Sequence, residues 1–89
     1  METKFNFKSQ YMRLGDFFKQ TFKSKGHSQK AAAEVLGMPA SCLNYIVSHK
    51  RRITKDIAKN FEKNYGIPSF IILMWAAYEE EIYGTPKQK

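Results

Sequence analysis

Residues 26–54 read GHSQKAAAEVLGMPASCLNYIVSHKRRIT, and the rest of the chain is organised around this stretch. Ser28 suits the start of a helix, because its hydroxyl can accept an amide hydrogen that the first turn leaves unpaired. Gln29 to Leu36 follows as an Ala-rich helical run that stops at Gly37. Pro39 is expected at about the first position of a second helix, where its missing N–H costs nothing. In that second helix Leu43, Ile46 and Val47 carry the i, i+3, i+4 spacing of an inward apolar face.

Four positions say more than two short helices would. Ala33 is small where the helices must cross closely, and Gly37 sits in the tight turn, where a positive φ makes a side chain costly. Leu43 and Ile46 are apolar where the second helix turns inward. Small, Gly, apolar, apolar at this spacing is the signature of a helix-turn-helix, here over residues 28–48, with its second helix presented to a DNA major groove. The competing reading is an ordinary helical hairpin inside some other small bundle.

The motif's geometry puts Ala40, Ser41, Asn44 and Tyr45 on the outward face of the second helix. Asn44 suits bidentate contact with adenine, worth ~1–3 kcal/mol of discrimination. Ala40 suits a thymine methyl, while Ser41 and Tyr45 can reach bases or phosphate, Tyr45 alternatively as a rim contact to the backbone. Gln29 and the open N–H groups at the start of the second helix are candidate phosphate anchors, and Ser28 is counted with the DNA-binding residues. Lys30, Lys50, Arg51 and Arg52 would add counterion release more than specificity.

Charge placement agrees. The 89 residues carry a formal net charge of +7. Residues 1–63 hold 13 Lys and Arg against 5 Asp and Glu, and residues 64–89 hold 2 against 3. The basic charge therefore lies in the part that contains the motif, which suits a polyanion, although an acidic protein or solubility alone would also account for it. The length allows one domain, residues 1–89, and a hydrophobic content of 43% supports a compact fold. Cys42 is the only cysteine, which excludes an intramolecular disulfide and suits a reducing compartment. His27, His49 and Cys42 make no recognised zinc spacing, and no metal or cofactor is expected. The N-terminus lacks an apolar signal segment, and the longest apolar run, Phe70 to Ala77, is far short of the ~20 residues a membrane span needs. A cytoplasmic protein without membrane association is expected. With no acid–base pair, activated nucleophile, phosphate-binding loop or metal set, no enzyme is expected.

Outside the motif, Met1 to Gln10 alternates briefly around Phe5 and Phe7, as a short strand or an extended arm. The plain reading is that one Phe packs on the core and the rest is loose, the sharper one a basic arm in which Lys4 and Lys8 track phosphate or the minor groove. Tyr11 to Lys25 reads as a helix with an apolar stripe of Leu14, Phe17, Phe18, Thr21 and Phe22. Gly15 costs about 1 kcal/mol there against Ala, which moves the expected start toward Asp16. Thr54 caps a fourth helix, Lys55 to Tyr65, with Ile57, Ala58, Phe61 and Tyr65 inward. The last helix spans residues 68–83, ahead of a loose tail at 84–89. From Phe70 to Tyr78 it is apolar nearly all round, so one face wants another partner, and Ile71, Met74, Trp75 and Tyr78 are the candidate contacts. A homodimer is the economical occupant; a second protein partner is the alternative, and the two could share the surface. Glu79, Glu80 and Glu81 read as a solvated acidic end.

Ser28 to Thr54 is similar to the Cro/cI-like (XRE) helix-turn-helix family, which implies an all-α, five-helix phage-repressor-like domain. The resemblance continues through ITKDIAKNFEKNYGIPSF, residues 53–70, and the AAYEE of the last helix. There Ile53, Thr54, Ala58, Gly66, Pro68, Tyr78 and Glu79 resemble the HigA-type antitoxin branch. The chain departs from that pattern in having His49 where Gly usually closes the recognition helix. It also has Ala40 and Ser41 where Gln or Arg is common, and Trp75 where Gln often stands. The resemblance implies a DNA-binding transcriptional repressor that acts on a palindromic operator, represses its own operon and neutralises a RelE-like toxin. Solitary phage or mobile-element regulators share the pattern. A protein-interaction module that kept the fold without base readout is the reading from another class, with Ala40 and His49 in its favour.

Overall fold

The structure, a computed structural model, describes residues 12–86. The arm expected at Met1–Gln10 and residues 87–89 lie outside them. Among the described residues five helices follow one another: α1 Leu14–Ser24, α2 Gln29–Leu36, α3 Ala40–Val47, α4 Lys55–Tyr65 and α5 Ser69–Tyr83. No strand occurs among the described residues, so the all-α, five-helix expectation holds.

The helix boundaries follow from chemistry at their ends. The Ser28 hydroxyl accepts the Ala31 amide at 3.1 Å, and the Thr54 hydroxyl accepts that of Ile57 at 3.2 Å. Each cap satisfies one of the amides a helix start leaves open, typically worth about 1 kcal/mol. At the other end of α2, Gly37 takes φ +69°, the left-handed turn expected of it. The Met38 amide then reaches the Ala33 carbonyl and the Gly37 amide that of Glu34, the Schellman pattern. Asn60, from α4, donates to the Leu36 carbonyl at 2.7 Å and so satisfies another acceptor at the same end. Pro39 precedes α3 as its N-cap residue, one position before the expected placement.

The core is built around aromatic rings. Phe18 of α1 stacks on Phe61 of α4 with centroids 4.1 Å apart, and Phe22 lies 5.2 Å from Tyr65. Leu14, Ala32, Ala33, Leu36, Leu43, Ile46, Val47, Ala58 and Ile72 close around them. Burial of each large side chain contributes roughly 1.5–3 kcal/mol. Ala33 and Ala32 are buried, which lets α2 lie close to its neighbours. That apolar framework fixes the direction of α3.

Two expectations need correction. α1 starts at Leu14, not Asp16. Gly15 is there because α1 begins against the exit of α3: a Cβ at this position would run into the Val47 carbonyl oxygen and come within 2.7 Å of His49 Nε2. The demand for space outweighs helix propensity. Glu79, expected in a solvated acidic end, is only 6% exposed. Its Oε2 accepts the Leu14 amide at 2.6 Å and its Oε1 faces Arg13 Nη2 at 3.3 Å, so its lost hydration is replaced by a charge-assisted pair and an amide. Arg13 in turn lies 3.6 Å from the centroid of the Tyr83 ring. Glu80 meets Arg52 and Glu81 is exposed.

Candidate nucleic-acid interface

The α2–turn–α3 unit sorts the residues of α3 by face. Leu43, Ile46 and Val47 are buried in the core. Ala40, Ser41 and Asn44 are exposed and Tyr45 is half-buried beside them. Ala40 with Asn44, and Ser41 with Tyr45, stand four residues apart and therefore share one strip of helix surface. Cys42 packs partly against the core as a free thiol.

Gln29 and Asn44 come together across the turn. Gln29 Nε2 approaches Asn44 Oδ1 at 3.4 Å on the exposed side, a weak bond by its length. It orients the Asn44 amide by its oxygen, with the N–H groups directed to another acceptor. The start of α2 and the middle of α3 thus form one polar patch, a pairing that spacing along the chain does not reveal.

No side chain caps the start of α3. Its first amides carry the partial positive charge of a helix N-terminus and favour an anionic group. Lys30, on α2, and Lys50 and Arg51, in the loop after α3, are exposed. Ser28 is exposed as well, with its hydroxyl engaged as the α2 cap. Arg52 differs from the other basic residues. Its Nε and Nη2 meet the two carboxylate oxygens of Glu80 at 3.0 and 3.3 Å, so much of its charge is answered within the chain.

The exit of α3 is closed by three contacts. Ser48 Oγ donates to the Asn44 carbonyl at 2.7 Å, the His49 amide to Ile46 and the Lys50 amide to Tyr45. The last two repeat the Schellman pattern with His49 in the glycine position, at φ +65°. That conformation costs a non-glycine residue roughly 1–2 kcal/mol. The imidazole offsets part of it: Nε2 accepts the Gly15 amide at 3.0 Å. Elsewhere, His27 Nδ1 and the Tyr65 hydroxyl are 2.9 Å apart, and burial pushes the Tyr65 phenol above its ordinary pKa.

The candidate contacts of α5 divide. Ile71 and Met74 are exposed, Tyr78 is exposed beside Ala77, and Phe70 joins them at 63% exposure. Trp75 does not stand with them: its ring lies 5.1 Å from Phe17, packed against the chain's own core. Among the described residues no helix is long and apolar enough to cross a membrane, and no group of three or more metal-ligating side chains converges.

Comparison with protein-family models, with curated proteins and with solved structures finds no match.

Proposed function

We propose that the chain is a sequence-specific DNA-binding transcriptional repressor that inserts α3 into the major groove of a palindromic operator. The observation that carries this reading is the outward strip of Ala40, Ser41, Asn44 and Tyr45 on a helix whose start no side chain caps, in a chain that also exposes Lys30, Lys50 and Arg51. Asn44 reads a base, Ser41 and Gln29 hold phosphate, and the lysines and Arg51 supply the salt-dependent part of the affinity. The exposed apolar strip of α5, Phe70, Ile71, Met74 and Tyr78, serves a two-fold dimer. Such a dimer sets two copies of α3 about 34 Å apart, one turn of DNA.

Within this class the resemblance noted above favours the antitoxin of a type II toxin–antitoxin module, which represses its own operon and neutralises a RelE-like toxin. A solitary phage or mobile-element regulator has the same DNA-reading parts. A second reading, an interaction module without base readout, draws on one observation: Ala40 and Ser41 are short and Arg52 is occupied by Glu80, so few long side chains reach outward.

Selection of bound duplexes from a random library at ~0.15 M salt separates these readings. Enrichment of a palindrome supports base readout, and its presence upstream of the gene supports autorepression. Binding without enrichment leaves only a phosphate-holding face and favours the interaction module. Co-purification with the product of an adjacent gene, and relief of that product's toxicity, decides for the antitoxin.

A further inference from the structure

His49 adds a polar contact between two elements whose apolar side chains already share the core and whose backbones approach closely at Gly15 and Val47. It follows α3 directly, and its ring reaches the second residue of α1. Because the Gly15 amide donates to Nε2, that nitrogen must offer a lone pair, and the neutral ring carries its hydrogen on Nδ1. A proton on Nε2 would set two donors against each other. A carboxylate that could answer that new N–H, Glu79 Oε1, is 4.0 Å away and already engaged by Arg13. To reach it the ring must leave Gly15.

We propose that His49 is a positioning residue for the recognition helix, and that protonation of its imidazole releases the exit of α3 from α1 and weakens operator binding. The consequence for DNA rests on the repressor reading above; the latch itself does not. A non-glycine residue held at positive φ is strain maintained by its contacts, and here one of those contacts, the Gly15 amide on Nε2, depends on a lone pair that protonation of the ring removes. Glycine at this position would remove the strain and the acceptor together.

The groups facing the imidazole come from each element packed on it. Arg13 precedes α1, Asp16 and Lys19 belong to it, Glu79 and Glu80 to α5, and Arg51 to the loop after α3. Burial first, and Arg13 second, hold the His49 pKa below its ordinary value, with Lys19 acting the same way and Glu79 and Asp16 opposing. The sign is then fixed. A histidine whose folded pKa is lowered favours the folded latch above the unfolded value of about 6.5, and that contribution is lost as pH falls toward the folded value.

The test compares the full-length wild type with H49Q and H49G between about pH 8 and about pH 5. Operator affinity and the amide resonances of Gly15 and Val47 are followed together. Gln offers an acceptor that does not titrate, and Gly guarantees a relaxed turn without one. Wild-type affinity is expected to fall about threefold to tenfold with acid relative to H49Q, a comparison that isolates the His49 ring. H49Q is expected to stay flat and tight, and H49G flat and weak, with the Gly15 amide moving only in the wild type. Matching wild-type and H49Q profiles, or H49G binding as tightly as the wild type at pH 8, would overturn the proposal. A wild type that binds no duplex at pH 8 overturns the repressor reading, while the Gly15 and Val47 amides still decide the latch.

Discussion

Glu79 Oε2 accepts the backbone amide of Leu14 at 2.6 Å, so the first turn of α1 is capped by a carboxylate from α5, 65 residues along the chain. The carboxylate also sits where the dipole of α1 favours negative charge. Removing it strands the Leu14 amide and the buried side of Arg13. Glu79→Ala is therefore expected to cost about 2–3 kcal/mol, below the roughly 3–5 kcal/mol of fully buried broken pairs because Arg13 still reaches water. Glu79→Gln keeps an acceptor for Leu14 and is expected to cost about 1 kcal/mol. Urea unfolding midpoints check both values, and an Ala variant as stable as the wild type would refute the capping role.

Gly15 offers a prediction whose sign is opposite to that from helix propensity. Ala is the better helix former by about 1 kcal/mol. Yet a methyl group here meets the Val47 carbonyl oxygen, a backbone atom that cannot swing away. Gly15→Ala is expected to destabilise by about 1–3 kcal/mol, lowering the melting temperature by roughly 4–8 °C per kcal/mol. The same change should shift the Val47 and His49 amides. Thermal unfolding followed by circular dichroism gives the answer; a raised midpoint would mean that α1 and α3 do not approach this closely.

Asn44 is expected to specify one base position in each half-site. Asn44→Ala should lower discrimination there by about 1–3 kcal/mol while leaving the slope of affinity against salt unchanged. Gln29→Ala should weaken discrimination at the same position, less strongly, because it frees the Asn44 amide to turn. Competition between duplexes that differ at a single base pair reads both effects. Equal loss on every sequence would reduce Asn44 to a backbone contact.

Local chemistry made most of the fold legible. Ser28 and Thr54 announced the starts of α2 and α4, Gly37 and Gly66 their ends, and the apolar spacing of α3 named its buried face. What escaped depends on contacts distant in sequence. Gly15 looked like a flaw in α1 because its reason lies at Val47. Glu79 looked solvated as one of three consecutive acids, although it continues the inward stripe of Ile72, Ala76 and Tyr83 at steps of 3 and 4. That stripe was the available signal, obscured because α5 is apolar on nearly every side. For the candidate site, the outward strip of α3 was readable from period alone. Its pairing with Gln29, the engagement of Arg52 by Glu80 and the His49 ring on Gly15 were not, since each joins separate elements.

The exposed strip of α5 yields the last prediction. Met74 is 66% exposed and Phe70 63%, each with little of its apolar surface covered by its own chain. A charge at Met74 should then change the folded monomer by no more than about 0.5 kcal/mol, as surface substitutions do. In a dimer that closes over this strip, the same charge is forced into an apolar contact without a partner and should abolish association. Trp75→Glu is the instructive contrast, because it removes a ring packed on Phe17 and should unfold the chain as well as dissociate it. Sedimentation equilibrium together with urea unfolding separates the outcomes. Met74→Glu is expected to be monomeric with an unchanged single-chain stability and weakened operator binding. A Met74→Glu protein that remains dimeric would place the two-fold contact elsewhere, and a wild type that is monomeric at every concentration would refute the dimer.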